Sequence, residues 1–117
     1  MLAVARGTKV FLAAGSTDLR RSIDGLALLV AAQLELDPLS GHLFVFCNRR
    51  RTMVKVLYWD RNGFCLWQKR LEKEFFCWPD RETDVMEVGM RELTWFLEGL
   101  QLEQKSAHKE LTYSSVY

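Results

Sequence analysis

The 117-residue chain lacks the features that mark several common protein classes. It has only two prolines, no internal repeat and no low-complexity tract. Its apolar stretches are short, and none approaches the roughly 18–20 apolar residues that a membrane-spanning helix needs. Arg6 and Lys9 interrupt the first apolar pieces, so the continuous apolar core of a signal peptide is missing as well. We therefore expect a cytoplasmic protein without membrane attachment.

Cysteine and histidine are scarce and scattered. Cys47, Cys65 and Cys77 are odd in number and form no Cys-x-x-Cys pair, which argues against a disulfide framework and against a zinc site. His42 and His108 are isolated from other metal-ligand residues. We expect the cysteines to be reduced packing residues, and we expect no metal ion or other cofactor.

The sequence also lacks a recognisable catalytic motif. The acidic candidates for metal-assisted chemistry are Asp18, Asp24, Asp60 and Glu72, and they show no motif spacing. No glycine-rich phosphate loop is present. We therefore expect no enzymatic activity and keep an enzyme such as a nuclease only as a third hypothesis, which would need metal-dependent cleavage.

The pattern of apolar residues predicts an α+β fold. A first strand is predicted at residues 9–15, and a helix follows where apolar residues recur at helical spacing from Leu19 to Leu34. A second helix is predicted at 89–100, ending near Gly99. The β-branched and aromatic runs predict strands at 42–47, 53–60, 64–71, 75–78 and 85–88.

These elements suggest an antiparallel β-meander of about four to six strands, with an N-terminal helix and a C-terminal helix packed on it. The chain is long enough for one hydrophobic core but too short for two comfortable domains. We expect a single domain over residues 1–102, followed by a partly ordered tail over 103–117.

A tight hairpin is predicted between the two central strands. Asn62 and Gly63 both tolerate the positive φ of a type I′ turn. With a loop of two or four residues Lys55 lies beside Arg70, whereas a three-residue loop moves it towards Lys69. Either register sets cations close together across the strands, which is destabilising unless an anion such as a phosphate backbone binds there.

Charge is unevenly distributed along the chain. Residues 42–73 carry eight basic and two acidic side chains, whereas residues 74–117 carry four basic and nine acidic ones. This asymmetry favours a polyanion-binding face beside an acidic face that meets a basic partner. The alternative is that the two segments neutralise each other within the fold.

Nucleic acid is the polyanion that fits this pattern best. Arginines in a turn can hold phosphates in bidentate fashion, and such contacts bind the backbone without reading sequence. Trp59 and Trp67 either stack on bases or belong to the core. The candidate nucleic-acid-binding residues are Arg49, Arg50, Arg51, Lys55, Lys69, Arg70, Arg20 and Arg21.

Three blocks of the chain resemble one family of bacterial mobile-element proteins. The blocks read VFLAAGSTDLRRSIDGLALLV, LDPLSGHLFVFCNRRRTMVKVLYWDRNGFCLWQKRLE and FCWP. They are similar to the TnpB accessory proteins of the insertion-sequence-sixty-six type of transposon, the product of the second open reading frame. This family is distinct from the RNA-guided nuclease that shares the name.

The resemblance implies a role in transposition beside a separate transposase that supplies the acidic catalytic residues. Its implied partners are transposon DNA, the transposase and the other transposition proteins of the same element. The end of the chain departs from the family, because many members are strongly basic there and this one has only Lys105, His108 and Lys109. The family-typical positions present here are Asp18, Arg20, Ser22, Asp24, Gly25, Asn48, Arg49, Arg50, Arg51, Lys55, Tyr58, Trp59, Asp60, Gly63, Phe64, Lys69 and Arg70.

Two functional hypotheses follow. In the first, the protein is a non-enzymatic accessory factor of DNA transposition that binds nucleic acid through the basic β-hairpin and acts with the transposase. In the second, it is a protein-interaction module that docks on the transposase without touching DNA. Salt dependence separates them, because phosphate contacts weaken steeply with salt and a mixed apolar interface does not.

Overall fold

A computed structural model describes residues 6–80 and 85–99, which contain one mixed β-sheet and two helices. No helix among these residues is long and apolar enough to cross a membrane. The strands are β1 Val10–Ala13, β2 Leu43–Cys47, β3 Met53–Asp60, β4 Gly63–Arg70 and β5 Val85–Val88. The helices are α1 Ile23–Ala32, between β1 and β2, and α2 Met90–Glu98, after β5.

The strand order across the sheet is β4-β3-β2-β1-β5. β2, β3 and β4 form an antiparallel meander, and β5 pairs antiparallel with β1. β1, however, pairs parallel with β2, so the prediction of an all-antiparallel sheet is wrong. The physical reason is the connection: a helix between two neighbouring strands carries the chain back across the sheet, and the second strand then runs in the same direction as the first.

Both faces of the sheet are covered. All five residues of β2 are buried, as expected for a central strand with a helix on each side. On one face α2 contributes Leu93, Phe96 and Leu97 to a cluster with β1, β2 and β3. On the other face α1 contributes its own apolar stripe to a second cluster, which includes Phe44, Phe46 and Leu57 of the sheet and α1 residues Leu26, Leu29 and Val30.

The two predicted helices are present but shorter than the segments over which the apolar residues recur at helical spacing. Leu19 and Leu34 pack in the same cluster as α1 although both lie outside the helix. α2 is followed by Gly99 with φ +84°, a conformation that favours glycine, so the predicted end of this helix is confirmed.

The aromatic run at 75–78 does not form the predicted strand. Phe76, Cys77 and Trp78 are buried, but only Phe75 forms an isolated bridge, and no continuous strand ladder includes this segment. Phe76 N donates to Arg51 O at 2.7 Å, and Gly15 N donates to Pro79 O at 2.8 Å. The aromatic residues of this segment are therefore explained by its burial, since buried loops and strands are both rich in them. The contacts with the neighbouring loops fix its backbone.

The central hairpin has a two-residue loop, Arg61 and Asn62, because Asp60 pairs with Gly63. The positive φ falls on Arg61, at +55°, so the predicted turn centred on Asn62 and Gly63 is displaced by one residue. Lys55 lies opposite Gln68, with Arg70 diagonally across. The register predicted for a loop of two or four residues is thus confirmed, and no two basic residues lie directly opposite each other across β3 and β4.

Two predictions about chain organisation are not decided by the described residues. The predicted C-terminal tail, residues 103–117, lies outside them. The single domain over residues 1–102 stays a prediction.

Packing under α2 can be tested by one substitution on the buried side of the helix and one on its exposed side. Leu93 is fully buried, and Leu93→Ala should lower the free energy of unfolding by about 2–5 kcal/mol because it leaves a cavity. Arg91→Ala, on the exposed side of the same helix, should change it by less than about 0.5 kcal/mol. Urea unfolding measures both, and equal stabilities would contradict this packing.

Candidate nucleic-acid interface

The loops that follow β1 and β2 lie at the same end of the sheet. Because the two strands are parallel neighbours, their carboxyl ends share one edge, where ligand sites of α/β proteins commonly form. Thr17 N donates to Cys47 O at 2.8 Å and joins the loop after β1 to the end of β2. β3 begins and β4 ends at this edge too, since Met53 pairs with Arg70. Four chain segments therefore converge here.

Asn48 organises the turn from β2 to β3. Its side-chain Oδ1 accepts from Thr52 N at 2.9 Å and from Met53 N at 3.0 Å, while its Nδ2 donates to Thr52 Oγ1 at 3.1 Å. Arg51 N also donates to Asn48 O at 3.1 Å. Asn48 therefore accepts hydrogen bonds from three backbone amides of this short turn. These bonds fix the backbone that carries the exposed side chains of the turn.

Arg51 ties this turn to the loop after β1. Its Nη1 donates to Gly15 O at 2.8 Å and lies 3.4 Å from Asn48 O, and its Nη2 is 3.6 Å from a carboxylate oxygen of Asp80. Only 19% of its side chain is exposed. Its backbone φ is +64°, which is unfavourable for a residue other than glycine. The guanidinium therefore satisfies carbonyls of the fold and is turned away from solvent.

An open cleft of about 810 Å³ lies between the two loops. Arg20, Arg49 and Arg50 are exposed and line it, together with Asn48 and Met53. Among the described residues, neither Arg49 nor Arg50 has a side-chain hydrogen bond or ion pair. The structure thus brings three of the eight predicted cations together around one concave surface, and two of them have unused donors.

Arg20 is held by Asp18 at the mouth of this cleft. Arg20 Nε and Nη2 donate to the two carboxylate oxygens at 2.9 and 2.7 Å, and Arg20 N donates to Oδ1 at 3.1 Å. These bonds, the side-chain ones first, lower the pKa of Asp18 from 3.8 to about 2. The same contact raises the pKa of Arg20. The Arg20 side chain stays largely exposed and that of Asp18 is about half-exposed, so the pair positions Arg20 without withdrawing it from solvent.

The two lysines of the hairpin point to opposite faces of the sheet and bind main-chain carbonyls, one set in the loop before α1 and the other in α2. Lys55 Nζ donates to Leu19 O at 2.7 Å and to Arg21 O at 3.1 Å, just before α1. Lys69 Nζ donates to Leu97 O at 2.8 Å, in the last turn of α2, where a cation also interacts favourably with the helix dipole. Each lysine therefore fastens one helix to the sheet.

The remaining two predicted cations lie outside the cleft. Arg70 ends β4 at the same edge of the sheet and pairs with Glu72, its Nε lying 3.1 Å from Oε2, with both side chains largely exposed. Arg21 is exposed and its aliphatic stem lies over Gly25, because a Cβ atom at Gly25 would be 3.2 Å from Arg21 Cβ. Arg21 thus faces the outer side of α1.

The tryptophans of the hairpin are both half-buried. Trp67 packs against the cluster beneath α2, and Trp59 contacts the Phe64 ring edge to face at 5.1 Å. Trp59 lies near the hairpin loop, at the opposite end of β3 from Met53 and the cleft. Neither ring is among the residues that line the cleft.

Within residues 6–80 and 85–99, ion pairs neutralise little of the charge asymmetry. Three are formed among the described residues, and two of them join neighbours in sequence, Asp18 with Arg20 and Arg70 with Glu72. Only Arg51 with Asp80 links the basic middle of the chain to its acidic end. The remaining cations of the cleft keep their charge available.

Sequence reasoning named Arg20 but missed that the rest of the loop after β1 forms a wall of this cleft. Ser16, Thr17 and Leu19 line it, and Thr17 is buried. The available signal was the strand, turn and helix succession at residues 9–34, which would have placed this loop beside Asn48 had β1 and β2 been taken as parallel.

None of the three cysteines lines the cleft. Cys47 and Cys77 are buried, in agreement with a packing role, and Cys65 is half-buried. Burial raises the pKa of the Cys47 thiol to about 11. No cluster of three or more histidine, cysteine, aspartate or glutamate side chains that could hold a metal ion occurs within residues 6–80 and 85–99.

One family model matches most of the chain. The model of the family described as "IS66 Orf2 like protein" matches residues 8–107. The chain is 38% identical over 100 residues to the uncharacterized protein y4hO of Sinorhizobium fredii, covering 86% of this chain and 87% of that one. It is 32% identical over 100 residues to the uncharacterized protein y4jC of the same organism, covering 86% of each. No solved structure matches the chain.

Arg51 and Arg50, adjacent in sequence, should respond differently to truncation. Arg51→Ala removes the guanidinium donor from the carbonyls of Gly15 and Asn48, so the free energy of unfolding should fall by about 1–3 kcal/mol. Arg50→Ala should change it by less than about 0.5 kcal/mol. Urea denaturation compares the two variants, and equal losses would show that Arg51 does not join the loops.

The pairing of Asp18 with Arg20 can be tested by titration. Arg20→Ala should raise the pKa of Asp18 from about 2 towards 3.8, whereas Arg21→Ala should have a much smaller effect. Because the native pKa is below the unfolded one, ionised Asp18 favours the folded state above pH 3.8, and this contribution is lost as the pH falls towards 2. Carboxyl chemical shifts measured by NMR would report both variants, and an unchanged pKa in Arg20→Ala would refute the pairing.

Proposed function

Because the chain belongs to the family of IS66 Orf2-like proteins, we propose that it is a cytoplasmic, non-enzymatic accessory factor of DNA transposition that binds transposon DNA through the basic cleft. The family is one of accessory proteins of insertion sequences. In this proposal a separate transposase performs the chemistry, and this protein contributes a DNA contact.

The observation that carries the proposal is the state of Arg49 and Arg50. Both are exposed on a turn whose backbone is fixed by Asn48, and both have unused guanidinium donors among the described residues. Guanidinium groups match phosphate oxygens in bidentate geometry, and a fixed turn limits the entropy lost on binding. Arg20, held by Asp18 across the cleft, supplies a third cation.

The contact proposed here is to the phosphate backbone. The cleft is open, its cations project from loops, and neither hairpin tryptophan lines it. Within residues 6–80 and 85–99, no helix lines the cleft and Met53 is its only strand residue, so it lacks the row of side chains that groove readers offer to base edges. Binding of this kind depends on charge and on the spacing of phosphates and contributes little sequence preference.

The predicted set of eight cations separates into three groups in this proposal. Arg49, Arg50 and Arg20 contact phosphate, and Arg70 extends the positive surface along the same edge. Arg51, Lys55 and Lys69 act as positioning residues, because their donors bind main-chain carbonyls. Arg21 lies over α1 and is assigned no DNA contact.

DNA binding should depend on Arg49 and Arg50 more than on overall charge. In a fluorescence-anisotropy titration across salt concentrations, the double variant Arg49→Ala/Arg50→Ala should bind transposon-end duplex more weakly. Its slope of log affinity against log salt should be less steep by about 1 for each arginine removed. Unrelated duplex should behave similarly.

The control is Arg61→Ala/Arg91→Ala, which removes the same charge from exposed sites outside the cleft. It should keep the wild-type salt slope. If both double variants lose affinity equally, the cleft is not the binding site. If the wild type does not bind DNA at about 50 mM salt, where phosphate contacts are strong, docking on the transposase becomes the better hypothesis.

A further inference from the structure

The cleft has a partly apolar floor that phosphate contacts do not explain. Leu19, Thr17, Met53 and Asn48 are the buried and half-buried residues that line it, and we call them its floor. Leu19 belongs to the core cluster beneath α1 and Met53 packs against that cluster, so one end of this core is open to the cleft. A phosphate group needs polar donors and gains nothing from apolar surface. The arginine rim and the floor therefore suit two different parts of one ligand.

The cleft is also large enough for a small organic group. Its volume is about 810 Å³. Clefts and cavities that bind such ligands measure roughly 300–1,000 Å³ and combine apolar side chains with a few polar groups that fix the orientation of the ligand. In this floor the apolar side chains are those of Leu19 and Met53, and the polar ones are those of Thr17 and Asn48. The lining therefore has the composition of a ligand pocket beside a cationic surface.

Thr17 is a buried polar residue in this floor, with 9% of its surface exposed. Its backbone N donates to Cys47 O, but its hydroxyl forms no hydrogen bond within residues 6–80 and 85–99. Buried polar side chains normally have a partner. Thr17 also borders a second cavity, but that one has only about 120 Å³, well below the size of ligand pockets. A ligand in the larger cleft would supply the missing partner.

We propose that the cleft receives an unpaired nucleotide of DNA, with its base against Leu19 and Met53 and its neighbouring phosphates held by the arginines of the rim. This inference rests on the proposed function, in which those arginines bind phosphate. It narrows the ligand class from DNA in general to DNA that carries single-stranded nucleotides.

A nucleotide joins the two chemistries that the cleft combines. Its phosphate is anionic, the faces of its base pack on apolar side chains, and the edges of its base form hydrogen bonds. Methionine sulfur makes favourable contacts with aromatic rings, which suits Met53 to a base. The Thr17 hydroxyl both donates and accepts, so it accommodates bases of different identity. The cleft therefore selects an unpaired base without selecting one sequence.

The structure of the DNA matters because a paired base is inaccessible to the floor. A base inside a duplex must be unpaired and unstacked before it enters a protein pocket, and this cost is smallest for a base that is already single-stranded. Phosphate contacts alone favour the duplex, because counterion release per neutralised phosphate is smaller for single strands, about 0.7 against about 0.9. A preference for unpaired nucleotides would therefore report the contact with the base.

The first test compares a blunt duplex with the same duplex carrying a short single-stranded overhang at its 3′ or its 5′ end. In fluorescence anisotropy at one fixed salt concentration, the wild type should bind an overhang duplex at least about tenfold more tightly than the blunt one. A free deoxynucleoside monophosphate, titrated without DNA, should bind much more weakly, because it lacks the neighbouring phosphates of a strand.

The second test changes the floor. Met53→Gln keeps the length of the side chain but replaces its apolar end by an amide, and it should lower the ratio of overhang to blunt affinity about tenfold, to near one. Thr17→Val keeps the shape of the side chain and removes the hydroxyl, and it should lower this ratio about fivefold.

The matched control is Met86→Gln, which makes the same change at a half-buried methionine of β5 that does not line the cleft. It should keep the wild-type ratio. Circular dichroism and thermal unfolding establish that each variant is folded.

The results separate this inference from the proposed function. Equal affinity of the wild type for overhang and blunt duplex would refute the base contact, and so would a preference that survives both floor substitutions. Either result leaves the phosphate contacts intact if Arg49→Ala/Arg50→Ala still reduces the salt slope. Tight binding of the free monophosphate would assign the cleft to a free nucleotide instead of DNA. Failure to bind any DNA at about 50 mM salt would refute the proposed function and this inference together.

Discussion

The parallel pairing of β1 with β2 is the constraint on which the other features of this structure depend. Two neighbouring parallel strands cannot be joined by a tight turn, so the chain between them must cross a face of the sheet, and α1 is that crossing. The same pairing sets the carboxyl ends of both strands side by side. The loop that carries Arg20 therefore lies against the turn that carries Arg49 and Arg50, and the cleft exists because of this contact.

The cations of the middle segment differ in what surrounds them, and this divides their roles. Where a main-chain carbonyl lacks a partner, a long cationic side chain supplies donors: Arg51 for Gly15, Lys55 for Leu19 and Lys69 for Leu97. Repulsion across the hairpin is limited because Lys55 faces α1 and Lys69 faces α2. Arg49 and Arg50 have no such carbonyl among the described residues, so their charge is available to a partner. A high density of basic residues thus serves both the fold and the proposed interface.

The chemistry of the cleft suits a polyanion. The cleft is open, and its three exposed arginines present guanidinium groups that match the phosphate oxygens spaced along a nucleic-acid backbone. Its two walls are the loop after β1 and the turn after β2, which are adjacent because the two strands are parallel neighbours.

The sequence by itself determined the local elements and the family. Period-two and helical apolar patterns predicted all five strands and both helices, and the quoted blocks pointed to the family that the comparisons then identified. It could not assign the run at 75–78, because burial selects the same aromatic residues in a loop as in a strand. It also could not separate Arg51 from Arg50, since adjacent arginines carry the same charge. Only the tertiary structure decided these points, because the direction of β1 beside β2 and the carbonyls within reach of each side chain depend on contacts between residues far apart in the chain.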